Sequence, residues 1–150
     1  MNTKLFYSFF IFLLTTSCVS NKINFHKKDI QIKCVEIKTQ GYINLEIHNN
    51  HKKYSFLDAS KNAIYKILHS GVSSEVCKTQ PPLLESVEEK ENFTRIKKSF
   101  FSNKGVWLNF IQNNKTDNEN QNIYHISIAK DNLRIYLEEK NIIKKIHDGY

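Results

Sequence analysis

Residues 29–47, "DIQIKCVEIKTQGYINLEI", set the terms for the rest of the chain. In the first half Ile30, Ile32 and Cys34 alternate with polar residues, and Val35 and Ile37 then shift the phase by one. That pattern predicts a β-strand interrupted by a bulge. From Tyr42 the alternation resumes through Ile43, Leu45 and Ile47 and predicts a second strand. Strands of period two bury one face and leave the other wet, which is the habit of antiparallel sheets. The apolar face then needs a cover, and the downstream sequence supplies helices.

After the polar stretch "HNNHKK", Tyr54 to Leu57 reads as a short returning strand. Asp58 or Ser60 then caps a helix with Ala63, Ile64, Ile67 and Leu68 on one face and Gly71 as its stop. Val72 to Lys78, strand or loop, carries Cys77, and "QPP" at 80–82 breaks regular structure because proline lacks an N–H and restricts its predecessor. Val87, Phe93, Ile96 and Phe100 recur at helical spacing, with acids early and lysines late as the helix dipole favours. They predict a helix over 88–102, ended before Gly105. Val106 to Ile111, "VWLNFI", reads as a buried strand, residues 112–122 as a loop without a hydrophobic side chain, and Ile123 to Ala129 as a strand. Residues 131–147 read as a helix capped by Asp131 and using Leu133, Leu137, Ile143 and Ile146; the competing arrangement is a hairpin of 133–137 with 142–146. The fold class is α+β: a small single domain with an antiparallel sheet and two or three helices packed on one side.

Upstream of this domain, Leu5 to Ser17 is a run of 13 uncharged residues rich in Phe, Leu and Ile, preceded by Lys4. It is too short to span a bilayer, since a helix rising about 1.5 Å per residue needs about 20 residues to cross about 30 Å of hydrocarbon. A basic start and a short apolar core match a cleaved secretory signal peptide. At its end Leu14, Thr15, Thr16, Ser17 and Cys18 resemble the lipobox of bacterial lipoproteins, in which small or apolar residues precede an obligatory cysteine. The resemblance is confined to residues 1–18, and Thr15 departs from the leucine usual three positions before the cysteine. It implies a diacylglycerol on the Cys18 thiol, cleavage between Ser17 and Cys18, and acylation of the new amino group. Two or more acyl chains anchor a protein stably, at about 0.8 kcal/mol per buried methylene. Val19 rather than Asp after the cysteine resembles lipoproteins of the outer membrane, and "VSNKIN" lacks the acidic run of surface-exported ones, which favours the periplasmic face. The expected organisation is a signal peptide at 1–17, a lipid-anchored tether at 18–28 and one α+β domain at 29–150.

Removing residues 1–17 leaves 133 of 150, enough for one domain with a single core. The net charge falls from +7 to +6 with the loss of Lys4, and nearly all the positive charge is lysine, Arg95 and Arg134 being the only arginines. Nucleic-acid readers favour the planar arginine fork, so no nucleic acid is expected as a partner. Lys22, Lys27 and Lys28, just after the anchor, suit anionic headgroups at about 1 kcal/mol each. With Cys18 lipidated, Cys34 and Cys77 remain, and an even pair in an oxidising compartment reads as a disulfide. Closing a loop of about 44 residues stabilises a fold by about 4 kcal/mol in the chain-entropy model.

Chemistry is sparse. His48 and His51 in "HNNH" are weak metal candidates that His69 or His125 would have to join, and two histidines in a polar turn read first as a solvated turn. No metal and no cofactor is therefore expected. Glu88, Glu89, Glu91, Glu138 and Glu139 read as helix-face charges. There is no G-x-S-x-G elbow or H-E-x-x-H helix, and four glycines disfavour a phosphate-cradling loop. Trp107 reads as core rather than as an exposed interface anchor. The expected function is a lipid-anchored envelope protein, non-enzymatic, binding a protein partner as an accessory or immunity-type module. The alternative is an envelope enzyme or small-ligand carrier with a site that only the fold assembles from His48, His51 and His125.

Overall fold

The computed structural model describes residues 30–38, 40–49, 54–112 and 123–145. In chain order these form strands β1 (Ile30–Lys38) and β2 (Tyr42–Asn49), helix α1 (Phe56–His69), strands β3 (Val72–Ser74) and β4 (Lys78–Gln80) and helix α2 (Val87–Phe100). A 3₁₀ segment (Val106–Phe110), strands β5 (Ile111–Gln112) and β6 (Ile123–Ala129) and helix α3 (Lys130–Glu139) complete them. The main sheet has the order β1-β2-β6-β5 with every neighbour antiparallel, and β3 and β4 make a separate two-stranded hairpin. The expected small α+β domain is what the chain forms.

The opening strands follow their alternation. β1 pairs with β2 from Ile30↔Asn49 to Lys38↔Tyr42, and the register shifts between Cys34 and Glu36, where the phase change predicts the bulge. Because Val35 is the extra residue, Cys34 opposes Leu45 and Ile37 opposes Ile43, so apolar side chains on both sides of the bulge reach one face. Ile43, Leu45 and Ile47 of β2 and Ile126 and Ile128 of β6 are buried there. Ala59, Ala63, Ile64, Ile67 and Leu68 of α1 join them in a core that also takes Phe93 and Phe100 of α2 and Leu133 and Leu137 of α3.

The ends of α1 explain its place. Ser55, not Asp58 or Ser60, is its N-cap: the Ser55 hydroxyl accepts from the Asp58 N–H, and the Asp58 carboxylate accepts from the Ser55 N–H, a reciprocal capping box. The expected strand at Tyr54–Leu57 is therefore wrong. Phe56 and Leu57 are the first turn of α1, and Tyr54 is buried, with its phenol accepting from Asn62 Nδ2 at 2.8 Å and its carbonyl accepting from the Tyr124 hydroxyl. Burial holds the Tyr54 phenol well above its ordinary pKa, so it stays neutral. At the other end Gly71, at φ +70°, donates its N–H to the Lys66 carbonyl, and the chain returns after Pro81–Pro82 so that Leu83 and Leu84 donate to Ile67 and Leu68. The last carbonyls of a helix have no partner within it, and here a neighbouring segment supplies donors.

The predicted helix over 88–102 is α2, begun by a second capping box between Ser86 and Glu89. Val87, placed on its apolar stripe by spacing, is the first helical residue and exposed. Val106–Ile111 is not a strand: Val106–Phe110 is a 3₁₀ turn and only Ile111 and Gln112 pair with β6. Trp107 and Phe110, three apart, point the same way under a three-residue period, and both are buried. Trp107 is thus core, its indole N–H donating to the Ser102 carbonyl at 2.8 Å. Of residues 112–122, 113–122 lie outside the described residues.

The C-terminal segment resolves as a helix, but α3 ends at Glu139 and Ala129, not Asp131, is its N-cap. Asn141 takes the left-handed conformation at φ 53°, the Asn141 N–H donates to Glu138 and the Ile142 N–H to Leu137. This is the Schellman pattern, with Asn in the position more often held by Gly. Ile142 and Ile143 then turn into the core instead of extending the helix, and Ile146 lies outside the described residues.

Gly71 is the position at which backbone freedom matters most. A Cβ there would meet the Gln80 carbonyl and the Pro81–Pro82 backbone, in a conformation that L side chains rarely adopt. Gly71→Ala should destabilise the fold by about 2 kcal/mol or more and lower Tm by roughly 5–10 °C; an unchanged melting curve would show that the return of Leu83 and Leu84 does not fix the end of α1.

Candidate functional site

Two features carry candidate chemistry: the cysteine pair, and the face of the main sheet turned away from the helices. Cys34 and Cys77 form a disulfide, with an S–S distance of 2.02 Å and Cα atoms 6.0 Å apart. Cys34 is the last β1 residue before the bulge, and Cys77 sits in the turn between β3 and β4, where its N–H is accepted by the Ser74 hydroxyl at 3.0 Å. Both cysteines are buried, so the bond ties the small hairpin to the edge strand of the main sheet.

The outward sheet face is built by the same alternation that builds the core. Residues between the buried ones on β2 are Asn44, Glu46 and His48, and on β6 they include His125 and Ser127. Lys33 of β1, Glu46 of β2 and His125 of β6 lie in register across three strands. His48, two residues along β2 from Glu46 and so on its face, donates through Nε2 to Glu46 Oε1 at 2.5 Å. The bond from His48 holds the Glu46 carboxyl below its ordinary value; the positive charges of His48, His125 and Lys33 add to this, and partial burial opposes it. Further along the face, the Glu36 carboxylate accepts from Asn44 Nδ2 at 2.7 Å. Asn44 Oδ1 and the Oγ of Ser127, its cross-strand partner, are buried without a hydrogen-bond partner among the described residues.

Of the histidines singled out by sequence, His48 and His125 thus meet around Glu46. His69 does not: it lies in the last turn of α1 against the Tyr65 ring, 4.3 Å between centroids, and edge-on to Phe93. His51 and Cys18 lie outside the described residues. Among the described residues no group of three or more His, Cys, Asp or Glu side chains is placed to hold a metal ion. Glu46 is the residue that sequence reasoning missed. Its signal was present, since a carboxylate two positions from a histidine in an alternating strand must share its face.

A hydrogen-bonded carboxylate and imidazole on a pleated surface can bind or recognise, while general acid–base work requires a substrate proton within hydrogen-bond reach of the acting group. Among the described residues no helix is long and apolar enough to cross a membrane. Comparison with protein-family models, with curated proteins and with solved structures finds no match.

Two measurements probe these features. Replacing both Cys34 and Cys77 by Ala should lower stability by about 2–4 kcal/mol; equal free-thiol counts in denatured protein with and without reductant would exclude the bond. Glu46 has a lowered folded-state pKa, so its contribution to stability is complete above the ordinary value of 4.5 and is lost as pH falls through the lower folded value. Glu46→Gln should accordingly flatten the acid limb of the stability curve below pH 4.5, and an unaltered limb in urea melts at stepped pH would remove Glu46 from the account.

Proposed function

We propose that the chain is a lipoprotein of a bacterial cell envelope, attached through a lipid on Cys18, facing the periplasm from the outer membrane, and acting as a non-enzymatic protein-binding, accessory or immunity-type module. The observation that supports this most directly is the Cys34–Cys77 bond. Structural disulfides persist in oxidising compartments and are rare in a reducing cytosol, so the bond agrees with the export signal at Leu5–Ser17. Two sequence features sixteen or more residues apart, an apolar run ending in Cys18 and a pair at Cys34 and Cys77, then have one explanation. A fold stapled by a disulfide and seated on a lipid is suited to presenting a rigid surface close to a membrane.

A second reading, an envelope enzyme or small-ligand carrier, draws on the meeting of His48 and His125 at Glu46. It requires a ligand at Glu46 on that sheet face, and Glu46→Gln separates it from the first reading by abolishing ligand binding while leaving a protein partner elsewhere on the surface in place.

The anchor has its own test. Cys18→Ser should abolish incorporation of radiolabelled palmitate and leave an uncleaved precursor on gels, whereas a normally processed soluble product would refute the lipobox assignment.

A further inference from the structure

The C-terminal half of α2 and the loop after it, Thr94 to Gly105, contain Arg95, Lys97, Lys98 and Lys104 and no carboxylate. The acids of α2, Glu88, Glu89 and Glu91, all lie in its first half. Lysines in a last helical turn offset the negative end of the helix dipole, which accounts for Lys97 and Lys98. It does not account for Lys104 in the loop, nor for Lys61 in the middle of α1. Lys61 Nζ lies 5.3 Å from the centroid of the Trp107 ring, and Lys97 Nζ lies 4.9 Å from that of Tyr65. Lys61 and Tyr65 are four residues apart on α1 and therefore neighbours on its surface. Phe101 links the two rings beneath, 6.5 Å from Tyr65 and 6.4 Å from Trp107 between centroids. The result is an aromatic floor with an ammonium group held over each end. Asp58, one turn before Lys61, is engaged with Ser55 in the cap of α1.

An ammonium group over an aromatic face is held by about 0.5–1 kcal/mol at an exposed site, and a side chain already ordered loses less freedom on binding. Burial lowers the pKa of Lys97, a sign that its charge is partly stripped of water before any partner arrives.

We propose that this face of α1, the C-terminal half of α2 and the 3₁₀ segment docks an acidic protein surface, with partner carboxylates received by Lys61 and Lys97 above the Trp107 and Tyr65 rings. The proposal deepens the protein-binding reading and rests on it. An acidic protein fits better than a lipid surface because the lysines are fixed in place by their rings, which favours a partner with carboxylates at matching positions over a fluid layer of headgroups.

Trp107 is the only tryptophan of the chain, so its fluorescence reports on the site directly. The full chain in neutral detergent is titrated with a short glutamate-rich peptide. The expected result is a saturable change in Trp107 emission, weakened about tenfold in Lys61→Gln/Lys97→Gln and restored in Lys61→Arg/Lys97→Arg. Lys144→Gln/Lys145→Gln, which removes the same charge from the C-terminal segment, should bind like the parent. Equal weakening in both glutamine variants would reduce the interaction to net charge and overturn the proposal, as would the absence of any peptide response. The same titration with phosphatidylglycerol in the micelles is the third arm: a response there that Lys61→Gln/Lys97→Gln abolishes, without one to the peptide, assigns the face to lipid. Thermal melts of each variant separate loss of binding from loss of fold. Palmitate labelling of Cys18 stands apart from all of these outcomes, so the docking face can fail while the anchored-lipoprotein reading survives.

Discussion

Ile43, Leu45 and Ile47 on β2 and Ile126 and Ile128 on β6 offer one continuous apolar surface, and α1 is the helix that lies on it with five of its own apolar side chains buried. A helix so placed cannot leave its C-terminal carbonyls without partners, since a buried, unpaired carbonyl costs about as much as a lost hydrogen bond. The Leu83 and Leu84 N–H groups bond to Ile67 and Leu68 of α1, and this fixes where the chain goes next. Leu83 and Leu84 are themselves buried, so a backbone requirement and an apolar requirement are met by the same two residues. The reversal at Gly71, the hairpin and the prolines at 81 and 82 all serve that return. The start of α2 follows within a few residues, capped by Ser86.

How much of this was legible in the sequence depends on whether a local pattern had one reading or several. The bulge at Val35 was legible, because a phase shift in an alternating strand has few other causes. α2 was legible because spacing, charge order and the following loop agreed. The start of α1 was not: Tyr54 and Phe56 are good strand formers, and they compete with the capping signal of a serine followed three residues on by an aspartate. Tertiary burial of Tyr54 settled the matter by leaving the next residue free to cap. Val106–Ile111 failed for a different reason, since a short apolar run has no period that separates a strand from a tight helical turn. For α3 the apolar positions continued to Ile146 on paper, yet the left-handed Asn141 turned Ile142 and Ile143 inward. The candidate site was less legible than the fold. His48 and His125 were visible as residues, but that both lie beside Glu46 depends on the register of β2 with β6, which no local signal encodes.

The disulfide occupies the weakest part of the architecture. β1 is an edge strand, and beyond the bulge its residues from Val35 to Lys38 are exposed. Edge strands are where sheets fray or recruit foreign strands, and bulges and lysines are common defences. β1 carries both, and the bond at Cys34 adds a covalent one by holding the β3–β4 hairpin to it. A three-residue strand pair such as β3–β4 has little cohesion of its own. Strand and hairpin thus stabilise each other through one bond, a dependence that lasts only while the two thiols stay oxidised.

The two charged surfaces of the molecule differ in a way that bears on recognition. On the sheet face each carboxylate is already met from within: Glu46 by His48, and Glu36 by Asn44. A partner binding there would have to displace or share those bonds and would gain only the difference. On the helical side Lys61 and Lys97 lie over rings, which supply attraction without a formal negative charge. A cation held by a ring keeps most of its capacity to bind an anion, whereas one held by a carboxylate does not. On the proposed reading, the cations placed over Trp107 and Tyr65, more than the net charge, direct an acidic ligand to α1 and α2.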